Sequence, residues 1–194
     1  TRVEEEPNYS YATARLLLHD LYKESLTKLG LTYDWKTPHS QYGAALHLFI
    51  EHGIEYELVS PNLRDFDITR LASELKPERD NQFTYLGLQT LYDRYFIHHN
   101  SIRIELPQVF FMRIAMGLAH CEGDLKNEKA IEFYNLLSSF DYLSSTPTLF
   151  NSGTLRQQLS SCYLSTVPDD LDGIYGAIKD NALLSKFAGG LGND

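Results

Sequence analysis

The sequence predicts a mainly α-helical domain reaching about residue 143, followed by the opening units of an α/β domain. Apolar residues recur at helical spacing through most of the chain up to Ser138. After Tyr142 that spacing stops, and hydroxyl-rich runs that read as extended take over, Ser144 to Phe150 and Ser160 to Ser165. A capped amphipathic helix and a glycine cluster, KFAGGLGND, then close the chain.

Pro7-Asn8-Tyr9-Ser10 leads into a first helix with Ala12, Ala14, Leu16, Leu17, Leu21 and Tyr22 at apolar positions, ending near Gly30. A second helix runs from about Gln41 to His52, burying Ala44, Ala45, Leu48 and Phe49, with Gly53 as its stop. A third spans Ile68 to Leu75, before Lys76-Pro77. Tyr85 to Tyr95 reads as a helix running into a strand. Tyr95-Phe96-Ile97 and Ile102-Arg103-Ile104 then form a small hairpin with His98, His99, Asn100 and Ser101 at its tip. Pro107, preorganised for a first turn, opens a strong helix striped by Val109, Phe110, Ile114, Ala115 and Leu118. Another helix, from about Asn127 to Ser138, uses Ala130, Phe133, Tyr134 and Leu137. An Asn-Ser-Gly turn joins the two extended runs, and Asp169 or Asp170 caps a last helix reaching about Ser185.

The 194 residues suffice for one domain or a domain and a half with a substantial core. Hydrophobic content of 43% against 22% charged residues is ordinary for a globular chain, and 13 Tyr with 10 Phe imply a well-packed helical interior. A net charge of −9 with no Lys- or Arg-rich block argues against a DNA or RNA partner, because phosphate neutralisation needs clustered cations. No run approaches the roughly 18 apolar residues that span a bilayer and no signal peptide is present, so no membrane partner is expected. With only Cys121 and Cys162, the sequence predicts a reducing, cytoplasmic setting and no disulfide framework. Starting at Thr1 without Met and stopping inside a glycine loop, the chain reads as an excised piece of a longer protein, or one broken at a disordered loop.

Cys162 leads the candidates for chemistry. A thiol acts as thiolate or by hydrogen-atom or electron transfer, and both need access to substrate. A lone strand cysteine equally fits a packed small hydrophobe. Alternation sends Ser161 and Cys162 to opposite faces, so both reach one ligand only at a strand end, where the pleat breaks. The Gly189-Gly190-Leu191-Gly192 cluster follows a helix, the reverse of a phosphate cradle. It fits a helix C-cap running into a loop, or a backbone that must come close to a ligand or another chain. Asp169 and Asp170 fit an N-cap, and equally an acceptor pair for ribose hydroxyls. Thr146 and Thr148 flank Pro147 in a segment read as extended, which puts both hydroxyls on one face. Cys121, ending an apolar helix, is expected in the core. No metal pattern is found: His98 and His99 sit on a hairpin tip, no Glu-x-x-His pair occurs, and two distant cysteines make no zinc site.

Taken together, STPTLFNSGTLRQQLSSCYLS, the helix after it and NALLSKFAGGLG are similar to the large (alpha) subunits of ribonucleoside-diphosphate reductases. PNYSYATARLLL resembles the first helix after that family's regulatory cone, and LPQVFFMRIAMGLA the helix before its barrel. The resemblance covers roughly residues 7 to 193 and is most specific from Ser145 onward. It implies a helical N-terminal domain over residues 1–143 and, over 144–194, the first strands and helix of a ten-stranded α/β catalytic barrel, cut off in the Gly-rich loop. It further implies that Cys162 is redox-active, one half of a pair that reduces the ribose 2′ position and becomes a disulfide, with its partner outside the chain. Thr146, Thr148, Ser161, Cys162, Ala188 and Gly189 match substrate-contacting positions. Asp169, Asp170, Leu171 and, more weakly, Lys186 match the site where a dNTP or ATP effector selects the substrate. The helix from Asp170 to Ser185 resembles one at the interface of the large-subunit homodimer.

The partners so implied are a ribonucleoside diphosphate, a small (beta) subunit whose metal centre generates the radical, and thioredoxin or glutaredoxin as reductant. No cofactor or metal is implied on this chain itself. The radical-bearing cysteine with its Asn and Glu, the partner cysteine and the tail cysteines would lie beyond Asp194, so the isolated piece is expected to be inactive. The family's ATP-binding cone is not in this sequence. Cys121 lies on a helix before the barrel, so Cys121 and Cys162 are not expected to pair. Two other readings stand beside this one: a cobalamin-dependent reductase, which shares the cysteine strand, and a helical interaction module without chemistry.

Overall fold

The computed structural model describes residues 6–186 and 189–194. Helices α1 (Tyr9–Lys28), α2 (Tyr42–Glu55), α3 (Ile68–Ser73) and α4 (Tyr85–Arg94) come first, and a 3₁₀ turn over Pro77–Gln82 precedes α4. The end of α1 is a Schellman motif: Gly30 adopts φ +80°, Leu31 N–H donates to Leu26 O at 2.8 Å and Gly30 N–H to Thr27 O at 3.1 Å. Gly53 does not stop α2. The helix runs through it to Glu55, and a Cβ there would lie 2.8 Å from Val59 Cγ2, so glycine serves close packing.

Strands β1 (His98–His99) and β2 (Ile102–Arg103) pair antiparallel around Asn100 and Ser101, both at positive φ, the geometry of a two-residue type I′ turn. The histidines therefore occupy strand positions, and the tip is Asn100-Ser101. Helix α5 (Pro107–Ala119) follows and forms the centre of the fold: every residue from Pro107 to Gly117 is buried. Apart from Gln108 and Arg113 the helix is apolar on all sides, so it must be enclosed on all sides, and α2, α6 (Lys126–Ser138) and the Pro77–Gln82 turn pack around it. Phe83, Phe96, Phe110 and Phe111 meet edge-to-face or stacked in this core. Cys121, expected in the core, is exposed, because the apolar run ends at Ala119 and the chain leaves the helix there.

The segment from Ser144 to Phe150 is not extended. Thr146–Asn151 forms a short helix, α7, packed against α5. Ser145 holds the extended conformation that precedes a helix, and Pro147 falls in the first turn, where its missing N–H costs nothing. Beyond it, β3 (Cys162–Ser165), α8 (Leu171–Lys186) and β4 (Gly190–Asn193) form a strand–helix–strand unit with parallel strands in the register Cys162↔Gly190 through Ser165↔Asn193. Gly190, Leu191 and Gly192 are thus strand residues and not loop, with Gly189 just before the strand. Residues on α8 are all at least partly exposed and Leu164 is 91% exposed, so this unit stands outside the helical core. Among the described residues, no helix is long and apolar enough to cross a membrane.

Candidate active site

Cys162 is the first residue of β3 and is exposed, with its thiol free. Ser161 lies just before the strand, where alternation no longer applies, and its Oγ sits 3.8 Å from Cys162 Sγ. Across the ladder, Gly190 N–H donates to Ser161 O at 2.6 Å. A Cβ on Gly190 would lie 3.3 Å from that carbonyl and 3.9 Å from Cys162 Sγ. Glycine therefore leaves the flank of the thiol clear. The neighbouring glycines obey the same constraint: a Cβ on Gly189 would meet the Tyr163 ring at 2.9 Å, and one on Gly192 would meet Leu164 Cδ2 at 2.7 Å. The close approach is to β3 of the same chain, and not to a ligand or another chain. Gly189 also serves the helix end, since its N–H donates to Leu184 O at 3.0 Å.

Helix α7 is tied to the approach into β3. Thr148 Oγ1 donates to Leu159 O at 3.3 Å and lies 3.1 Å from Ser145 Oγ, and Asn151 Nδ2 donates to Gln158 O at 2.7 Å. Thr146 Oγ1 instead lies 3.4 Å from Tyr95 OH, while Tyr95 stacks on Phe150 with ring centroids 4.4 Å apart. The two threonine hydroxyls do not share a face: residues two apart on a helix diverge. A cavity of about 330 Å³ opens between Gln157–Ser160, Tyr163 and Leu184.

At the other end of β3, Asp170 caps α8, its Oδ1 accepting from Gly173 N–H at 2.8 Å. Asp169 and Leu171 are exposed beside it, Leu171 at 73%. Lys186 ends α8, about 22 Å from Leu171 by helical rise, so the structure places it nearer the glycine strand than the Asp169–Leu171 turn. Ala188 lies outside the described residues. No group of three or more His, Cys, Asp or Glu side chains that could hold a metal occurs among the described residues.

Two buried polar clusters escaped sequence reasoning. Arg113 and Glu105, both fully buried, pair at 2.7 Å beneath α7. Asp80, also buried, accepts from Tyr22 OH at 2.5 Å, from Tyr42 OH and from Gln108 Nε2 at 2.6 Å, and Tyr134 OH donates to Gln108 Oε1 at 2.7 Å. Burial pushes the Asp80 carboxyl up to about 6 even though its three donors pull the other way. The same burial, with Asp80 alongside, holds the Tyr22 and Tyr42 hydroxyls protonated far above the usual phenol range. The available signal was Gln108 and Arg113 inside an otherwise apolar helix, since polar groups so placed need partners.

An exposed strand thiol beside a serine and a glycine backbone marks a thiol-bearing strand–helix–strand unit that follows a mainly α-helical body. Residues 81–157 match the family model described as ribonucleotide reductase, all-alpha domain. The chain is 51% identical over 192 residues to the ribonucleoside-diphosphate reductase subunit alpha of Chlamydia pneumoniae, covering 99% of this chain and 18% of that protein. It is 43% identical over 190 residues to the subunit alpha of Helicobacter pylori strain J99, covering 97% of this chain and 22% of that protein. The large subunit of Monkeypox virus is 35% identical over 189 residues, covering 97% and 23%. The chain is thus similar over nearly its whole length to ribonucleoside-diphosphate reductase large subunits, and it spans about a fifth of the length of these relatives.

Proposed function

We propose that the chain is the helical domain (residues 1–143) and the first strands and helix of the catalytic barrel (144–194) of a radical ribonucleotide reductase, converting ribonucleoside diphosphates to 2′-deoxyribonucleoside diphosphates. The observation that carries this reading is the exposed Cys162 thiol at the start of a parallel strand, beside Ser161 and the unobstructed Gly190 backbone. Replacing a ribose 2′-hydroxyl by hydrogen takes two electrons. Two thiols supply them: their S–H bonds break, one S–S bond forms, the hydroxyl leaves as water and hydrogen takes its place at carbon. Cys162 is one of these thiols, and the other comes from the remainder of the subunit, brought to within a Cα separation of about 7 Å.

Thr146, Thr148, Ser161, Ala188 and Gly189 contact the substrate in this reading. Asp169, Asp170 and Leu171, with Lys186, belong to the dNTP or ATP effector site. The apolar stripe Leu171, Tyr175 and Ile178 on α8, exposed at helical spacing, supports a role for this helix in the large-subunit homodimer. The radical comes from a metal-bearing small subunit, and thioredoxin or glutaredoxin reduces the disulfide between turnovers, which fits a cytoplasmic enzyme. The test is turnover by the full-length subunit with its small subunit and a dithiol reductant. Cys162→Ser is expected to abolish deoxynucleotide formation, and a variant that keeps wild-type turnover would leave only the non-catalytic helical module.

A further inference from the structure

We propose that Arg113, locked by Glu105, is a positioning residue that sets the place of the α7 hydroxyls at the substrate; this rests on the reading of Thr146 and Thr148 as substrate contacts. Both side chains are 0% exposed. Arg113 Nε donates to Glu105 Oε1 at 2.7 Å and Nη2 to Oε2 at 3.4 Å. The other face of the fork turns to α7: Nη1 donates to Ser152 O at 2.5 Å, and Nη2 to Leu149 O at 3.3 Å. These carbonyls belong to the last turn of α7 and the residue after it, where a helix leaves acceptors without partners. Glu105 is itself fixed, its Oε2 accepting from Ile97 N–H at 2.9 Å.

Backbone contacts seat the same segment on α5. Ser152 Oγ donates to Ile114 O at 2.8 Å. Gly153, at φ +75°, brings its Cα so close that a Cβ would lie 2.7 Å from Arg113 O, and a Cβ on Gly117 would lie 2.2 Å from Gly153 N. A six-residue helix does not hold itself together, so its place is set by tertiary bonds. An apolar pair could fill this volume with equal or greater stability. It could not fix two carbonyls at set distances. Thr148 directly precedes Leu149, whose carbonyl Arg113 holds, and Thr148 Oγ1 is in turn bonded to Leu159 O on the approach to Cys162. The guanidinium fork thus reaches the candidate substrate contacts without touching substrate. Lysine, a single ammonium, cannot make the same fork.

The test uses the full-length subunit with its small subunit, comparing Arg113→Lys, Glu105→Gln and Thr148→Val for substrate KM, kcat, effector half-saturation and thermal unfolding. Arg113→Lys and Thr148→Val are each expected to raise KM for the ribonucleoside diphosphate about tenfold, since small misplacements at a site are costly. kcat should fall less than this, and the effector response should stay unchanged. A merely structural residue behaves differently: active enzyme declines while KM keeps its wild-type value, and that result overturns the proposal. If Arg113→Lys does not fold, Glu105→Gln has nearly the same shape but loses the charge and one of the two acceptors of the fork, which loosens the anchor of Arg113, so a wild-type KM there overturns it equally. An unchanged KM in Thr148→Val sinks the substrate reading of α7, and the clamp with it. A raised KM in Thr148→Val with wild-type KM in a folded Arg113→Lys sinks the clamp alone.

Discussion

Gly190 stands opposite Cys162 in the parallel ladder, and its amide donates to the carbonyl of Ser161 at 2.6 Å. The pairing holds the thiol at the edge of a backbone that carries no side chain on that flank. Gly190→Val puts methyl groups where Cα hydrogen now leaves space, so alkylation of Cys162 by iodoacetamide in the native protein should slow about fivefold or more, as access controls thiol chemistry. Cys121 is exposed and elsewhere, and its rate should not change. Equal Cys162 rates in the two proteins would show that the glycine does not keep the thiol open.

Asp80 makes stability depend on pH in an unusual direction. Burial raises its folded-state pKa from 3.8 to about 6. Its contribution is full below about pH 3.8, where the group is protonated in both states, and is lost as pH rises through about 6. The loss amounts to about 3 kcal/mol at 1.36 kcal/mol per pKa unit. Urea unfolding of wild type and Asp80→Asn at pH 4 and pH 7 isolates it: the difference between the proteins should move by about this amount against wild type on going to pH 7. A difference independent of pH contradicts the assignment.

Removing one partner of the buried pair should cost far more than removing both. Arg113→Met leaves the Glu105 carboxylate buried without its cation, at a cost of about 3–5 kcal/mol. Combining it with Glu105→Leu removes that charge and adds an unpaired Ile97 N–H at about 1–3 kcal/mol, while the Leu149 and Ser152 carbonyls that Arg113 held are unpaired in both variants. Denaturant midpoints should therefore place the double variant above Arg113→Met. Additive losses would mean that the two groups are not coupled.

Gly117 tests packing against propensity. In mid-helix, Gly→Ala ordinarily gains about 1 kcal/mol. Here a Cβ would lie 2.2 Å from Gly153 N and 2.4 Å from Ser152 Oγ. Overpacking of that kind costs about 1–3 kcal/mol or more, and the turn after α7 must move. Gly117→Ala is thus expected to lower the thermal midpoint; a rise would show that the seat of α7 on α5 is loose.

Helices with a continuous apolar period were legible in the sequence: α1, α2, α5 and α6 lie within a few residues of where the pattern puts them. The misses have local causes. Thr-Pro-Thr reads as extended because β-branched residues and proline disfavour helix interiors, yet α7 is so short that Pro147 falls in its first turn. The glycines of β4 read as a loop because their place in a strand depends on pairing with β3, where Gly190 lies against Ser161 O and Gly192 against Leu164. The reading of the thiol and its neighbours as a site rests on family likeness; by itself Cys162 is one of two ordinary cysteines. The Asp80 cluster joins residues 26 to 58 positions apart, and the Arg113 fork, besides Glu105, bonds backbone carbonyls 36 and 39 positions along the chain, which no local pattern records.

The most direct test of Cys162 as half of a reducing pair is a single-turnover experiment on the pre-reduced full-length subunit with its small subunit, substrate and effector, and no external reductant. After quenching, free thiols are alkylated and the peptide carrying Cys162 is measured by mass spectrometry beside the deoxynucleotide formed. Cys162 should be lost to alkylation in step with product and be recovered in a disulfide with a second cysteine of the same subunit. Product formed while Cys162 stays fully alkylatable would contradict its role.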